Sequence, residues 1–177
     1  WFTMASDPLI SGAVSVMPPD DLFHYRTDLD KGLNWDCLFM LPVWLRTWWT
    51  AFGKDLRPHV CAVNLGEKVI GIAPLIIDGN TARLMGDSNL SDFVDLIISP
   101  GYEKDFFRLL FRHLKNNGIR HIDAGHVRTG SAFLSALAPL ADALNCKADV
   151  EPAEPFHELA LPKAWDDYLA LLDGKQR

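Results

Sequence analysis

The chain has 177 residues, of which 49% are hydrophobic, 23% charged and 11% aromatic. Those proportions exclude a largely disordered chain, and a chain near this length buries roughly 70% of its unfolded surface, enough for one core. The formal net charge of -6 argues against nucleic-acid binding through a basic face, and no uncharged apolar run reaches the roughly 20 residues that span a bilayer.

Residues 1–35 read as an N-terminal arm. Pro8, Gly12, Pro18, Pro19 and Gly32 interrupt it, leaving room for one short strand over 13–16 and one helical turn. Pro42 fits the first turn of a helix, where its missing N–H does no harm. Trp44, Leu45, Trp48, Trp49 and Phe52 then recur at helical spacing, and Gly53 ends the run. This aromatic stripe reads first as a core-facing helix and second as a stacking platform for a ligand.

A hairpin follows. Residues 59–65 alternate, Gly66-Glu67 turns, and 68–77 resumes as a strand. Pro74 inside the second run predicts an edge position or a bulge, because proline cannot donate to a ladder. Gly79-Asn80 is a second turn, and 81–85 is a third strand. The polar loop 86–92 leads to a fourth strand over 93–98. Tyr102, Phe106, Leu109, Leu110, His113 and Leu114 then mark an amphipathic helix ending at Asn117-Gly118. A strand is predicted over 119–124. Thr129 or Ser131 can cap the next helix, and Pro139 should kink it. Residues 148–150 and 156–161 read as strands. Pro162 precedes a last helix with Trp165, Tyr168, Leu169 and Leu172 on one face. Hairpins mixed with strand–helix–strand steps predict an α/β (α+β) domain with helices on both faces of a mixed sheet.

Three cysteines, Cys37, Cys61 and Cys146, lie far apart without a CxxC pair. That usage points to a reducing compartment, the cytoplasm, rather than to a disulfide framework. Cys37 and Cys61 read as buried apolar residues. Either could pair with one of six histidines, but no single pairing is favoured by spacing. The N-terminus lacks a basic segment followed by an apolar run, so no signal peptide is expected. It opens Trp1-Phe2-Thr3-Met4, consistent with a start inside a longer protein or with a few added residues.

Two polar constellations could carry chemistry. In His121-Ile-Asp123-Ala-Gly125-His126 the first histidine and Asp123 share a strand face, and His126 follows in the loop. His126 and Asp123 are candidate catalytic acid–base residues. The three side chains could also hold a metal, although a solvated strand face with a loop histidine is the stronger reading, and no metal site is assigned. The second constellation is Asp87-Ser88-Asn89-Leu90-Ser91-Asp92, with Asp95 beyond. Turn chemistry accounts for a loop here, and binding residues favour such loops. Asp92, Asp95, Ser88 and Asn89 are the candidate substrate-binding residues. The chain holds no GxSxG, Walker A loop, HExxH or GxGxxG.

Four segments occur in a familiar order. They are Pro42-Val43-Trp44-Leu45-Arg46-Thr47-Trp48-Trp49, then Val69-Ile70-Gly71-Ile72-Ala73-Pro74-Leu75, then Arg83-Leu84-Met85-Gly86 with Ser91-Asp92-Phe93-Val94-Asp95, and last 161–172 closing on Lys175-Gln176-Arg177. Across 36–177 the chain resembles the N-terminal half of the CelD-like acetyltransferases. These belong to the FemAB-like branch of the GNAT superfamily and are linked to cellulose and exopolysaccharide biosynthesis. The resemblance implies a GNAT-like mixed, largely antiparallel sheet, acyl-CoA as cofactor and a second GNAT-like half that binds it. A GNAT donor site needs a backbone loop of the form [RQ]xxGx[GA] at a helix start. Arg128-Thr129-Gly130-Ser131 is the nearest approach here, with the wrong spacing.

The resemblance therefore implies the acceptor-side half of an acyltransferase. The acceptor would be a small molecule or a sugar or cell-envelope precursor, contacted by Asp92, Asp95 and His126. The alternative is a non-catalytic GNAT-like binding or scaffold module. A half of a two-half fold should expose apolar surface, so self-association or an exposed patch near the final helix is expected.

Overall fold

The computed structural model describes residues 12–27, 32–86, 90–144, 146–153, 157 and 159–172. Ser88 and Asn89 lie outside the described residues, as do residues 154–156 and 158. The fold is mixed α/β, built on a six-stranded, largely antiparallel sheet in the order β1 (Gly12–Met17), β2 (Arg57–Leu65), β3 (Lys68–Asp78), β4 (Thr81–Leu84), β6 (His121–Asp123), with β5 (Ile97–Ile98) also on β3.

The first strand, β1 (Gly12–Met17), pairs antiparallel with β2 (Arg57–Leu65), so this part of the N-terminal arm is a sheet strand. Between them lie α1 (Leu22–Thr27) and α2 (Pro42–Phe52). Pro42 opens α2 and the Gly53 N–H closes it on the Trp49 carbonyl at 2.8 Å. Leu45 and Trp48 are its buried stripe. The hairpin of β2 and β3 (Lys68–Asp78) is the longest pairing, with a bulge at Val63/Asn64. Alternation sends His59, Cys61, Val63 and Gly71 to one face and Val60, Ala62, Ile70 and Ile72 to the other. Cys61, Val63, Val60, Ala62, Ile70 and Ile72 are all fully buried, so the sheet is covered on both faces.

Helix α3 (Glu103–Asn116) covers the first of these faces, burying Phe106, Phe107, Leu109, Leu110 and Leu114. It approaches closely because Gly71 has no side chain. A Cβ there would clash with the Phe106 ring and lie 2.9 Å from the Ile97 carbonyl oxygen. Helices α1 and α2 add Leu22, Leu45 and Trp48 to the same continuous core.

Pro74 is neither in an edge strand nor at a bulge. Strand β3 is central, with β2 along one side and β4 (Thr81–Leu84) and β5 (Ile97–Ile98) sharing the other. The Pro74 carbonyl accepts the Met85 N–H at 2.8 Å. In a strand the nitrogen faces the same way as its own carbonyl, so the missing N–H falls where β4 has ended and β5 has not begun. The ladder tolerates proline because no partner carbonyl is required there.

Strand β4 therefore leaves the edge of β3 at Met85, and β5 resumes that edge eleven residues after Gly86. The described residues between them, 90–96, are an excursion from the sheet. The predicted strand over 93–98 shrinks to Ile97–Ile98 for this reason. The Asp95 carboxylate accepts the Leu96 N–H at 2.8 Å, a local bond that competes with a ladder.

After α3, β6 (His121–Asp123) pairs parallel with β4, matching Thr81 to His121 and Arg83 to Asp123. The helix after β6 starts at Ser131, not Thr129: the Ser131 Oγ accepts the Leu134 N–H at 3.3 Å. Pro139 cannot donate to the carbonyl four residues back, and its ring crowds that carbonyl. The backbone widens to a π-helix over Phe133–Leu137 before the short α4 (Ala138–Leu140).

Residues 148–150 form no strand. They are exposed, with the Lys147–Asp149 ion pair at 2.9 Å beside them. Of the strand predicted over 156–161, the described residues 157 and 159–161 are exposed and irregular. The last helix, α5 (Trp165–Leu171), has no buried residue. Leu161 and Trp165 are 73% and 68% exposed, and Leu159 and Leu171 are similarly open. No helix among the described residues is long and apolar enough to cross a membrane.

Candidate functional site

Strands β4 and β6 run parallel, so their C-terminal ends lie together, and in α/β sheets that is where ligands bind. Two loops leave from there. One is the excursion after β4; the other follows β6. The Val94 N–H donates to the His126 carbonyl at 2.9 Å and ties them together.

Asp95 is the half-buried charge of this junction. Its carboxylate accepts the Leu96 N–H at 2.8 Å and the Ala132 N–H at 3.2 Å on Oδ1 and 3.4 Å on Oδ2. Burial pushes its pKa above the ordinary carboxylate value, against the opposing pull of these two N–H groups and of the Arg128 guanidinium. Arg128 lies over the Phe93 ring, 4.4 Å from its centroid. The Cys37 thiol sits 3.9 Å from the Phe93 carbonyl oxygen. Burial raises its pKa and the Asp95 charge adds to that, against the opposing pull of the Phe39 and Met40 backbone and of the Arg128 guanidinium.

An aromatic group borders this carboxylate. Phe39 meets Trp44 edge-on at 5.1 Å and Phe93 edge-on at 5.3 Å. Trp44 donates its indole N–H to the buried Ser91 hydroxyl at 3.3 Å. Pro42 at the start of α2 and the one-turn helix Leu38–Met40 before it set these rings against the excursion. The three aromatic residues are half-buried.

The sequence-predicted site residues thus fall into two groups. Asp95 is inside the junction and held by backbone donors. Asp92 is exposed on the same excursion. His126 contributes its carbonyl to the junction, and its side chain is exposed. Asp123 is exposed on β6, where it accepts the Gly125 N–H at 3.0 Å and pairs with Arg83 at 3.7 Å. Arg83 also reaches Asp78 at 3.5 Å, so this strand face carries a solvated ion-pair chain.

Among the described residues, the potential metal-ligating side chains that converge are His59, Cys61 and His113, not His121, Asp123 and His126. Sequence reading missed this trio because 54 residues separate His59 from His113. The available signal was the His-x-Cys spacing on a strand, which puts both side chains on one face. The three cysteines are free thiols, with Cys37 and Cys61 buried.

No protein-family model matches the chain, and comparisons with curated proteins and with solved structures likewise return no match.

Proposed function

We propose that this chain is the acceptor-side half of an acyl-CoA-dependent N- or O-acyltransferase of the cytoplasm, acting on a sugar or cell-envelope precursor such as an exopolysaccharide unit. The donor, acetyl-CoA or another acyl-CoA, would be held by a second GNAT-like half. The observation that carries this reading is the Asp95 carboxylate, half-buried where the excursion meets the ends of β4 and β6, with half-buried aromatic rings on the same excursion and at the start of α2. Aromatic faces with a few fixed polar groups suit a polar ring-shaped acceptor. A carboxylate whose pKa is raised by burial suits a group that takes a proton from the attacking amine or hydroxyl. Arg128 balances the charge, and Asp92 and His126 line the exposed approach.

In this reaction the acceptor nitrogen or oxygen attacks the thioester carbonyl, the carbon–sulfur bond breaks, and CoA leaves as its thiol. Asp95 accepts the acceptor's proton and gives it up for return to the departing CoA sulfur, which restores the carboxylate. The mixed, largely antiparallel sheet with helices on both faces is the architecture that the resemblance implies.

The test is CoA release by the native gene product with acetyl-CoA and a panel of amino sugars and sugar nucleotides. Asp95→Asn should lower kcat by roughly 10²–10⁴-fold, the range for general acid–base groups, with the acyl-CoA KM unchanged. Wild-type kcat in that variant contradicts the role. The exposed apolar residues Leu159, Leu161, Trp165 and Leu171 favour a second reading, a non-catalytic binding module, which predicts no CoA release with any acceptor.

A further inference from the structure

His59 and Cys61 stand two residues apart on β2, on the sheet face that α3 covers, and His113 lies in the last turn of α3. The Nε2 atoms of the two histidines are 3.1 Å apart. Their ring centroids are 5.2 Å apart with the planes inclined by 30°, so the rings meet nearly head to head. Ligating atoms of all three side chains fall within 4.8 Å of one another. Cys61 is fully buried and both imidazoles are partly buried.

We infer that His59, Cys61 and His113 form a binding site for a zinc ion that pins α3 to the sheet. Zinc takes imidazole nitrogen at about 2.0–2.1 Å and thiolate sulfur at about 2.3 Å, and tetrahedral angles then put such atoms roughly 3.3–3.6 Å apart. The histidine nitrogens already stand near that spacing. The three ligating atoms, within 4.8 Å of one another, turn and draw together onto the ion when it binds. Three protein ligands leave the fourth position to water. The donor set of two imidazoles and one thiol, with no carboxylate, disfavours magnesium and calcium.

The local chemistry is consistent with an ion that replaces protons. Without metal, one Nε2–H donates to the other Nε2, which fixes the two rings in opposite tautomers. With zinc, both Nε2 atoms ligate and both rings carry their proton on Nδ1, so the pair as a whole loses none. The thiol loses its proton to solvent, so binding releases about one proton per ion.

The inference is independent of the acyltransferase reading, because the trio lies under α3 and outside the junction of Asp95 and Arg128. The test is titration of the chelator-treated 177-residue chain with zinc and with cobalt(II). The expected result is about one zinc per chain, a rise in the thermal midpoint, release of about one proton, and a thiolate-to-cobalt charge-transfer band. Cys61→Ser should abolish that band, and His113→Gln should remove stoichiometric zinc. His121→Gln, on the exposed face of β6, should change neither. A wild-type chain with no charge-transfer band and an unmoved midpoint overturns the site, whether or not the variants fold. So does loss of binding in His121→Gln.

Discussion

The Ala132 N–H donates to the Asp95 carboxylate at 3.2 Å, joining the loop that leaves β4 to the helix that follows β6. Two segments 37 residues apart in sequence are held by one half-buried charge. Removing it in Asp95→Ala leaves the Leu96 and Ala132 donors without their acceptor, at a cost of about 1–3 kcal/mol. Asp95→Asn should recover part of this, since its amide oxygen still accepts. Equilibrium urea unfolding measures both.

The same carboxylate sets a pH dependence. Burial raises the folded-state pKa of Asp95, so the folded protein holds its proton more tightly than the unfolded chain. That contribution to stability is complete below the ordinary carboxylate range, near 4, and is lost as pH rises through the raised folded value. Asparagine does not titrate. The Asp95→Asn variant should therefore gain stability relative to wild type as pH climbs from about 4 to about 7. A difference that stays flat across this range contradicts the burial of the charge.

Gly71 sets the spacing between α3 and the sheet. Gly71→Ala should cost about 1–3 kcal/mol by overpacking, because the new methyl group meets Phe106 on one side and the Ile97 carbonyl on the other. The Phe106→Leu change in the same chain should restore part of the loss. A double-mutant cycle with positive coupling confirms the contact; simple additivity of the two losses denies it.

Trp44 connects α2 to the excursion through Ser91. Trp44→Phe keeps an aromatic partner for Phe39 but loses the indole donor, for an expected loss of about 1 kcal/mol. Ser91→Ala should cost a similar amount, and the double variant should cost less than the sum.

The open residues near α5 carry a different expectation. Leu161→Ser with Trp165→Ser should leave folding stability within about ±0.5 kcal/mol, as for exposed sites, while weakening self-association in sedimentation experiments. A large stability loss instead would mean that these side chains pack in the folded chain.

The parts of the fold legible in the sequence are those set by local periodicity. The β2–β3 hairpin follows from alternation around Gly66-Glu67, and α3 from its apolar spacing closed by Asn117-Gly118. The parts that were not legible depend on partners distant in sequence. Pro74 sits in a central strand where β4 leaves that edge, and its carbonyl still accepts the Met85 N–H. Residues 93–96 lose strand form because Asp95 bonds to Leu96 and reaches Ala132. Val150 has strand propensity but no neighbouring strand, and it stays exposed. In the candidate site the polar excursion announced itself by composition, whereas Arg128, Phe39 and Cys37 join it only through the fold. His59, Cys61 and His113 are brought together by the docking of α3 on β2.

The most direct measurement for the central claim is chemical-shift mapping of the 177-residue chain titrated with amino sugars and sugar nucleotides. The account predicts that a binding acceptor moves resonances of residues 90–96 and 126–132, together with the Trp44 indole N–H, and that Asp95→Asn weakens this response. Acceptors that leave all of these resonances in place, or that move only residues remote from the ends of β4 and β6, contradict it.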